Sequence, residues 1–115
     1  MSDSPIDQSV FAELQDAMGA DFVGELVVTF LGEAPGMLAD LKTAAETGEP
    51  DTFRRAAHSI KSNASIFGAL GLAELARQME ISGFDPDPAV TSAQIAALNA
   101  EYDRVATTLK DLQNG

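Results

Sequence analysis

Hydrophobic residues recur every three or four positions along most of the chain, which is the period of an amphipathic α-helix. The clearest case lies near the C-terminus, where apolar residues at spacings of 3, 4, 3, 4 and 3 form one seam: Ile95, Leu98, Tyr102, Val105, Leu109 and Leu112. No segment alternates convincingly with the period of two that is typical of a half-buried strand. The pattern therefore predicts an all-α fold.

Start and stop signals divide this pattern into five helices. A short first helix is predicted to follow Ser4 as N-cap, with Pro5 at its first position, and to end at Gly19. The second is predicted from about Asp21 to Thr47, and Pro35 should kink or split it because proline lacks the amide donor. The third and fourth are predicted over residues 51–67 and 69–82.

The last helix is predicted to follow the Gly- and Pro-containing loop 83–88 and to begin at a capping box formed by Thr91 and Gln94. Four substantial helices joined by short turns favour an antiparallel up-and-down four-helix bundle with a short additional N-terminal helix. The chain is short enough that we expect residues 1–115 to form a single domain.

Charge and composition exclude several classes of binding partner and of chemistry. Acidic residues outnumber basic ones 18 to 7, which gives a net charge of −11. Such a surface repels phosphate backbones and anionic lipids, so we expect no nucleic-acid or membrane binding. The absence of Cys excludes disulfides and thiolate chemistry. Because neither a leader nor an apolar run approaching 18 residues is apparent, we expect a soluble cytoplasmic protein, and we expect a monomer.

The third predicted helix has an unusual polar face. A helical wheel centred on His58, the only histidine, places the apolar residues on the far side: Phe53, Ala56, Ala57, Ile60, Ala64 and Phe67. Within about 60° of His58 lie three of the seven basic residues and two small hydroxyl residues: Arg54, Arg55, Lys61, Ser62 and Ser65. We call these residues, with His58, the His58 face.

This arrangement indicates phosphoryl chemistry. A solvated surface histidine is the commoner reading of a lone exposed imidazole, but cations gathered on an otherwise acidic chain argue against it. A neutral imidazole is a nucleophile that can carry a phosphoryl group. Lys61, three residues after His58, would supply a compact positive charge for the phosphoryl oxygens.

The run from Ala57 to Ala69, AHSIKSNASIFGA, resembles the signature of histidine-containing phosphotransfer (HPt) domains. That signature is an Ala-His pair, a hydrophobic residue, Lys three positions after the His, small residues and Gly-Ala. Leu72, Leu75 and Met79-Glu80 are similar to the family's next helix. Upstream, Gly19 through Phe30 are similar to the family's second helix, and residues 48–50 to the turn after it. The resemblance covers nearly the whole chain.

The resemblance implies a phosphorelay intermediate without its own ATP site. His58 would accept a phosphoryl group from a receiver-domain aspartate and pass it to another receiver; Glu80, at the position of the family's orienting Gln or Glu, would hold the inner ring nitrogen. Response-regulator receivers and hybrid histidine kinases would be the partners. The surface that meets them would comprise Arg54, Arg55, Ser62, Ser65 and Ile66. Ser62 stands where the family often has Gly, which adds atoms at the docking surface.

Other functions fit less well. A kinase needs a nucleotide-binding loop, a receiver needs alternating strands and helices, and an EF-hand needs the Gly and Glu that the loop around Asp85 lacks. A di-iron bundle needs two Glu-x-x-His motifs, whereas the residue three before His58 is Arg55. We expect no cofactor, since magnesium would belong to the receiver. The open alternative is a helical adaptor that binds a signalling partner without phosphotransfer.

Overall fold

A computed structural model describes residues 4–114 of the chain, and five α-helices account for most of them. Their bounds are α1, Gln8–Met18; α2, Ala20–Thr47; α3, Pro50–Ile66; α4, Leu70–Ser82; and α5, Pro88–Asn114. No strand occurs in this part of the chain. The all-α fold and the number of helices predicted from the periodicity are confirmed.

The four longer helices form an antiparallel up-and-down bundle. α2 packs against α3 and α5, and α4 packs against the same two helices. α1 lies across α2 and α3. At the centre, the ring of Phe30 lies 5.5 Å from that of Phe67 and 5.9 Å from that of Tyr102, so aromatic contacts join α2 to the end of α3 and to α5.

Two helix starts differ from the prediction because an aspartate, and not the predicted residue, caps each helix. α1 begins at Gln8, not at Pro5, and the Asp7 carboxylate caps it by accepting the Ser9 amide at 3.0 Å. The Asp7 amide donates to the carbonyl of Gly68 at 2.8 Å, which holds this stretch outside the helix.

The capping box predicted for α5 is also wrong. α5 begins at Pro88, and the Asp87 carboxylate accepts the amide of Ala89 at 2.9 Å. Thr91 therefore lies inside the helix, where it is buried and its hydroxyl accepts the amide of Asp85 at 2.8 Å. The threonine closes the loop before α5 and does not start the helix.

Pro35 does not split α2, which is one helix of 28 residues. Ala34, Leu38 and Leu41 are buried around it, whereas Pro35 is exposed. Burial of the apolar side on both sides of Pro35 offsets the missing hydrogen bond.

By length and composition alone, α2 could cross a membrane, since an 18-residue window in it has a mean hydropathy of 1.4. The expectation that no segment approaches this measure is therefore wrong. A core helix of a soluble protein passes the same test. One side of α2 is buried within the bundle through Val23, Val27, Phe30, Ala34, Leu38, Leu41 and Ala44.

Gly68, in the turn between α3 and α4, should be intolerant of any side chain. Its φ is +78°, and a Cβ there would lie 2.9 Å from both the Asp7 carbonyl oxygen and the Val10 Cβ. Gly68→Ala is expected to lower the free energy of unfolding by about 2–4 kcal/mol, through backbone strain and overpacking together. Urea denaturation measures this effect.

Gly48 provides the matched control. Its φ is +72°, but nothing lies within 4 Å of the Cβ position. Gly48→Ala should therefore cost only the backbone strain, about 1 kcal/mol. Equal losses in the two variants would show that the contact of Gly68 with α1 contributes nothing.

Candidate functional site

α3 presents His58 to solvent because its apolar residues fix its rotation. Pro50 occupies the first turn, where its missing amide is harmless, and the helix buries Phe53, Ala57, Ile60 and Ala64. The opposite side is left to the His58 face, and the His58 side chain is 56% exposed. The wheel calculated from sequence therefore places the histidine on the correct side of the helix.

The inner nitrogen of the imidazole is held by the neighbouring helix. His58 Nδ1 lies 2.8 Å from Oε2 of Glu80, which comes from the last turn of α4. A carboxylate only accepts, so this hydrogen bond assigns the proton to Nδ1 in the neutral ring. The lone pair is then on Nε2, the nitrogen available to an incoming electrophile.

Lys61 holds the other oxygen of the same carboxylate. Its Nζ lies 2.7 Å from Glu80 Oε1, and the two side chains are partly exposed, at 29% and 21%. The Lys61 ammonium first, and then His58, lower the pKa of Glu80 from its ordinary value. The ionised Glu80 carboxylate therefore stabilises the fold at pH values above the pKa that it has in the unfolded chain. This contribution is lost as the pH falls through the lowered pKa of Glu80 in the folded protein.

The sequence did not indicate that Lys61 pairs with Glu80. The wheel compares positions on one helix only, so it places Lys61 near His58 but contains nothing about α4. The packing of α3 on α4 brings the three side chains together, 19 and 22 residues apart in sequence. We call His58, Lys61 and Glu80 the His–Glu–Lys group.

Ser62 is the second neighbour of the imidazole. Its Oγ lies 3.4 Å from His58 Nε2, the nitrogen opposite the one that Glu80 holds. From the sequence, Ser62 is expected only as a small residue at the docking surface. The spacing of four residues, which places two side chains together on a helix, was the available signal for this contact.

The remaining residues of the predicted docking surface are all exposed. The two arginines turn toward the start of α3, where Arg54 lies 4.0 Å from the Asp51 carboxylate and Arg55 donates to the Asp51 carbonyl at 3.4 Å. Ser65 and Ile66 lie at the other end of the helix, and Ile66 is 46% exposed. These side chains lie along α3 on either side of His58.

The described part of the chain contains no cluster of side chains suited to bind a metal ion. Within residues 4–114, no group of three or more His, Cys, Asp or Glu side chains is arranged to hold a metal ion.

Comparison with known proteins gives two matches. The model of the Hpt domain family matches residues 25–108, a range that contains His58, Lys61, Ser62 and Glu80. A solved structure, histidine-containing phosphotransfer protein B (HptB) from Pseudomonas aeruginosa PAO1, superposes with a TM-score of 0.87 at 28% identity. The match covers 98% of this chain and 97% of that one. The search of curated proteins returns no match.

Proposed function

The chain belongs to the Hpt domain family, a family of phosphocarrier proteins of phosphorelays, and on this premise we propose that His58 is its phosphoryl-carrying residue. The donor would be the phosphorylated aspartate of a response-regulator receiver or hybrid kinase, and the acceptor another receiver aspartate. The observation that carries this proposal is the hydrogen bond of 2.8 Å between Nδ1 and Glu80, which places the ring's lone pair on Nε2, the attacking nitrogen.

The transfer step needs no proton movement at the imidazole. The Nε2 lone pair forms a bond to phosphorus while the bond from phosphorus to the donor's carboxylate oxygen breaks, and its electron pair leaves with that carboxylate. The ring becomes a cation whose Nδ1 proton remains bonded to Glu80. A carboxylate at this place stabilises the cation, and because its pKa is lowered it is ionised at neutral pH.

Lys61 would act on the phosphoryl group from beside the imidazole. Its ammonium is held 2.7 Å from Glu80 Oε1, so its charge is fixed near the reacting ring at little further entropic cost. We propose that the lysine has two roles, to hold the orienting carboxylate and to attract the phosphoryl oxygens.

The protein would work as a cytoplasmic monomer without a cofactor of its own. Magnesium would be bound by the partner receiver. The rival function, an adaptor that binds a signalling partner without phosphotransfer, would use the same surface but would have no need for the His–Glu–Lys group.

Incubation with a phosphorylated receiver distinguishes the two functions. A phosphocarrier takes up a label that is lost in acid and stable in alkali, as a phosphoramidate bond is. An adaptor binds the receiver but takes up no label. Receiver binding is measured in the same samples. Absence of label with binding indicates an adaptor, whereas absence of label without binding indicates that the receiver is not a partner.

Lys61→Ala is expected to slow transfer about tenfold or more, because a fixed charge beside the reacting group is lost. The fold should be little affected, with a melting temperature within about 5 °C of the wild type, since partly exposed ion pairs contribute little to stability. Rapid-quench transfer kinetics and a thermal melt measure the two effects.

Lys110→Ala, an exposed lysine on α5, is the control for the loss of one positive charge. It should transfer at the wild-type rate. A large fall in melting temperature of Lys61→Ala with unchanged transfer would assign the lysine to the fold alone.

A further inference from the structure

The hydroxyl of Ser62 is directed at the reacting nitrogen of His58. Its Oγ lies 3.4 Å from Nε2, while Nδ1 donates to Glu80. Because the Nδ1 position carries the ring proton, Nε2 can only accept, and the serine hydroxyl is the donor. The long distance indicates a weak hydrogen bond that one side-chain rotation breaks.

Other hydroxyl side chains of this protein show that the direction of Ser62 is not the default. In a helix, Ser and Thr hydroxyls commonly donate to the carbonyl four residues earlier. Ser82 does so with Gln78 at 2.8 Å, and Thr47 does so with Thr43 at 2.9 Å. The residue four before Ser62 is His58, and the hydroxyl contacts its ring in place of its carbonyl.

We propose that Ser62 is a positioning residue for phosphotransfer. Its hydroxyl covers the Nε2 lone pair in the unphosphorylated protein, and it donates to a phosphoryl oxygen once the group is attached. This inference rests on the proposed function of His58 and goes beyond the role of Ser62 as a small residue at the docking surface.

The Ser62 hydroxyl must take two positions because Nε2 has only one lone pair. Nε2 cannot accept a hydrogen bond from Ser62 and form a bond to phosphorus at once, so the hydroxyl must turn away before attack. Ser62 is exposed, which leaves its side chain room to rotate. After the transfer, the lone pair has become the bond to phosphorus, and the nearest acceptors for the hydroxyl are the negative phosphoryl oxygens.

The experiment compares Ser62→Ala with the wild type, using phosphoramidate as a small donor that needs no protein docking. The alanine variant should take up label about two- to fivefold faster, because the lone pair is no longer covered, and should lose it faster by a similar factor. Ser62→Thr keeps the hydroxyl and should restore both rates toward the wild type. Ser92→Ala, at an exposed serine of α5 outside the His58 face, is the matched control and should leave both unchanged.

A second measurement uses the unphosphorylated protein. The ¹⁵N chemical shift of Nε2 reports the hydrogen bond that this nitrogen accepts, so it should move in Ser62→Ala and not in Ser92→Ala. An unchanged shift, with both rates equal to the wild type, would overturn the proposal for Ser62 while labelling at His58 upheld the proposed function. Slower uptake in Ser62→Ala would also overturn it. If neither the wild type nor any variant took up label, the function proposed for His58 would be wrong, and so would the inference for Ser62.

Discussion

Replacing His58 by glutamine is expected to abolish phosphoryl uptake and to leave the fold intact. Glutamine has no nucleophilic nitrogen, so neither a phosphorylated receiver nor phosphoramidate should label the variant above background. The fold should persist because His58 is more than half exposed and packs on the outside of α3. We expect a melting temperature within about 5 °C of the wild type.

Lys110→Gln is the matched control, since it changes an exposed residue of α5, outside the His58 face, to the same side chain. It should take up label from phosphoramidate like the wild type. Acid-labile label that persisted in His58→Gln would show that another residue carries the phosphoryl group. Loss of label together with loss of helicity would show that His58 supports the fold, contrary to the expectation.

Helical periodicity is sufficient to predict the elements because each helix buries one side in a single core. The seam from Ile95 to Leu112 in α5 is such a case, and all but its last residue are buried. The wheel of α3 succeeded for the same reason. Burial of Ala57 and Ile60 determines which residues face solvent, and this information is present in the local sequence.

Element ends depended on contacts that periodicity does not contain. α1 starts late because the Asp7 amide bonds to the carbonyl of Gly68, 61 residues away. α5 starts early because Asp87 caps it, while Thr91 bonds back to Asp85. Ser4 and Thr91 are residue types that start helices in general, and in each case the aspartate directly before the first helical residue serves instead.

The residues of the candidate site also differ in whether the local sequence is enough to predict them. His58 and Lys61 could be singled out on one helix from the charge pattern alone. Glu80 was assigned only through the resemblance to HPt domains, because its contact with His58 requires the packing of α3 on α4. Its second contact, with Lys61, follows from neither the pattern nor the resemblance, and it changes the expected role of the lysine from a free cation to one held in place.

The exposed end of α3 leads to a prediction about docking. Transfer between His58 and a receiver aspartate requires the two side chains to meet nearly in line, so part of the receiver must lie against the His58 face. Ser65 lies on that face two turns after His58 and is exposed. A tryptophan there would project from the surface into the space that the receiver must occupy, without overpacking the core.

Ser65→Trp is therefore expected to reduce receiver binding and receiver-dependent transfer by tenfold or more, roughly the effect of misplacing two reacting groups. Labelling by phosphoramidate should continue, because a small donor reaches Nε2 without covering the end of α3. Thr107→Trp places the same bulk on an exposed position of α5, a helix that packs against α2 and α4, and should leave both reactions unchanged. Transfer from the receiver at the wild-type rate in Ser65→Trp would show that the partner approaches His58 from another side. Since Ile81 is 69% exposed beside Glu80, a bulky charged residue at that position of α4 is the variant that would then locate the docking surface.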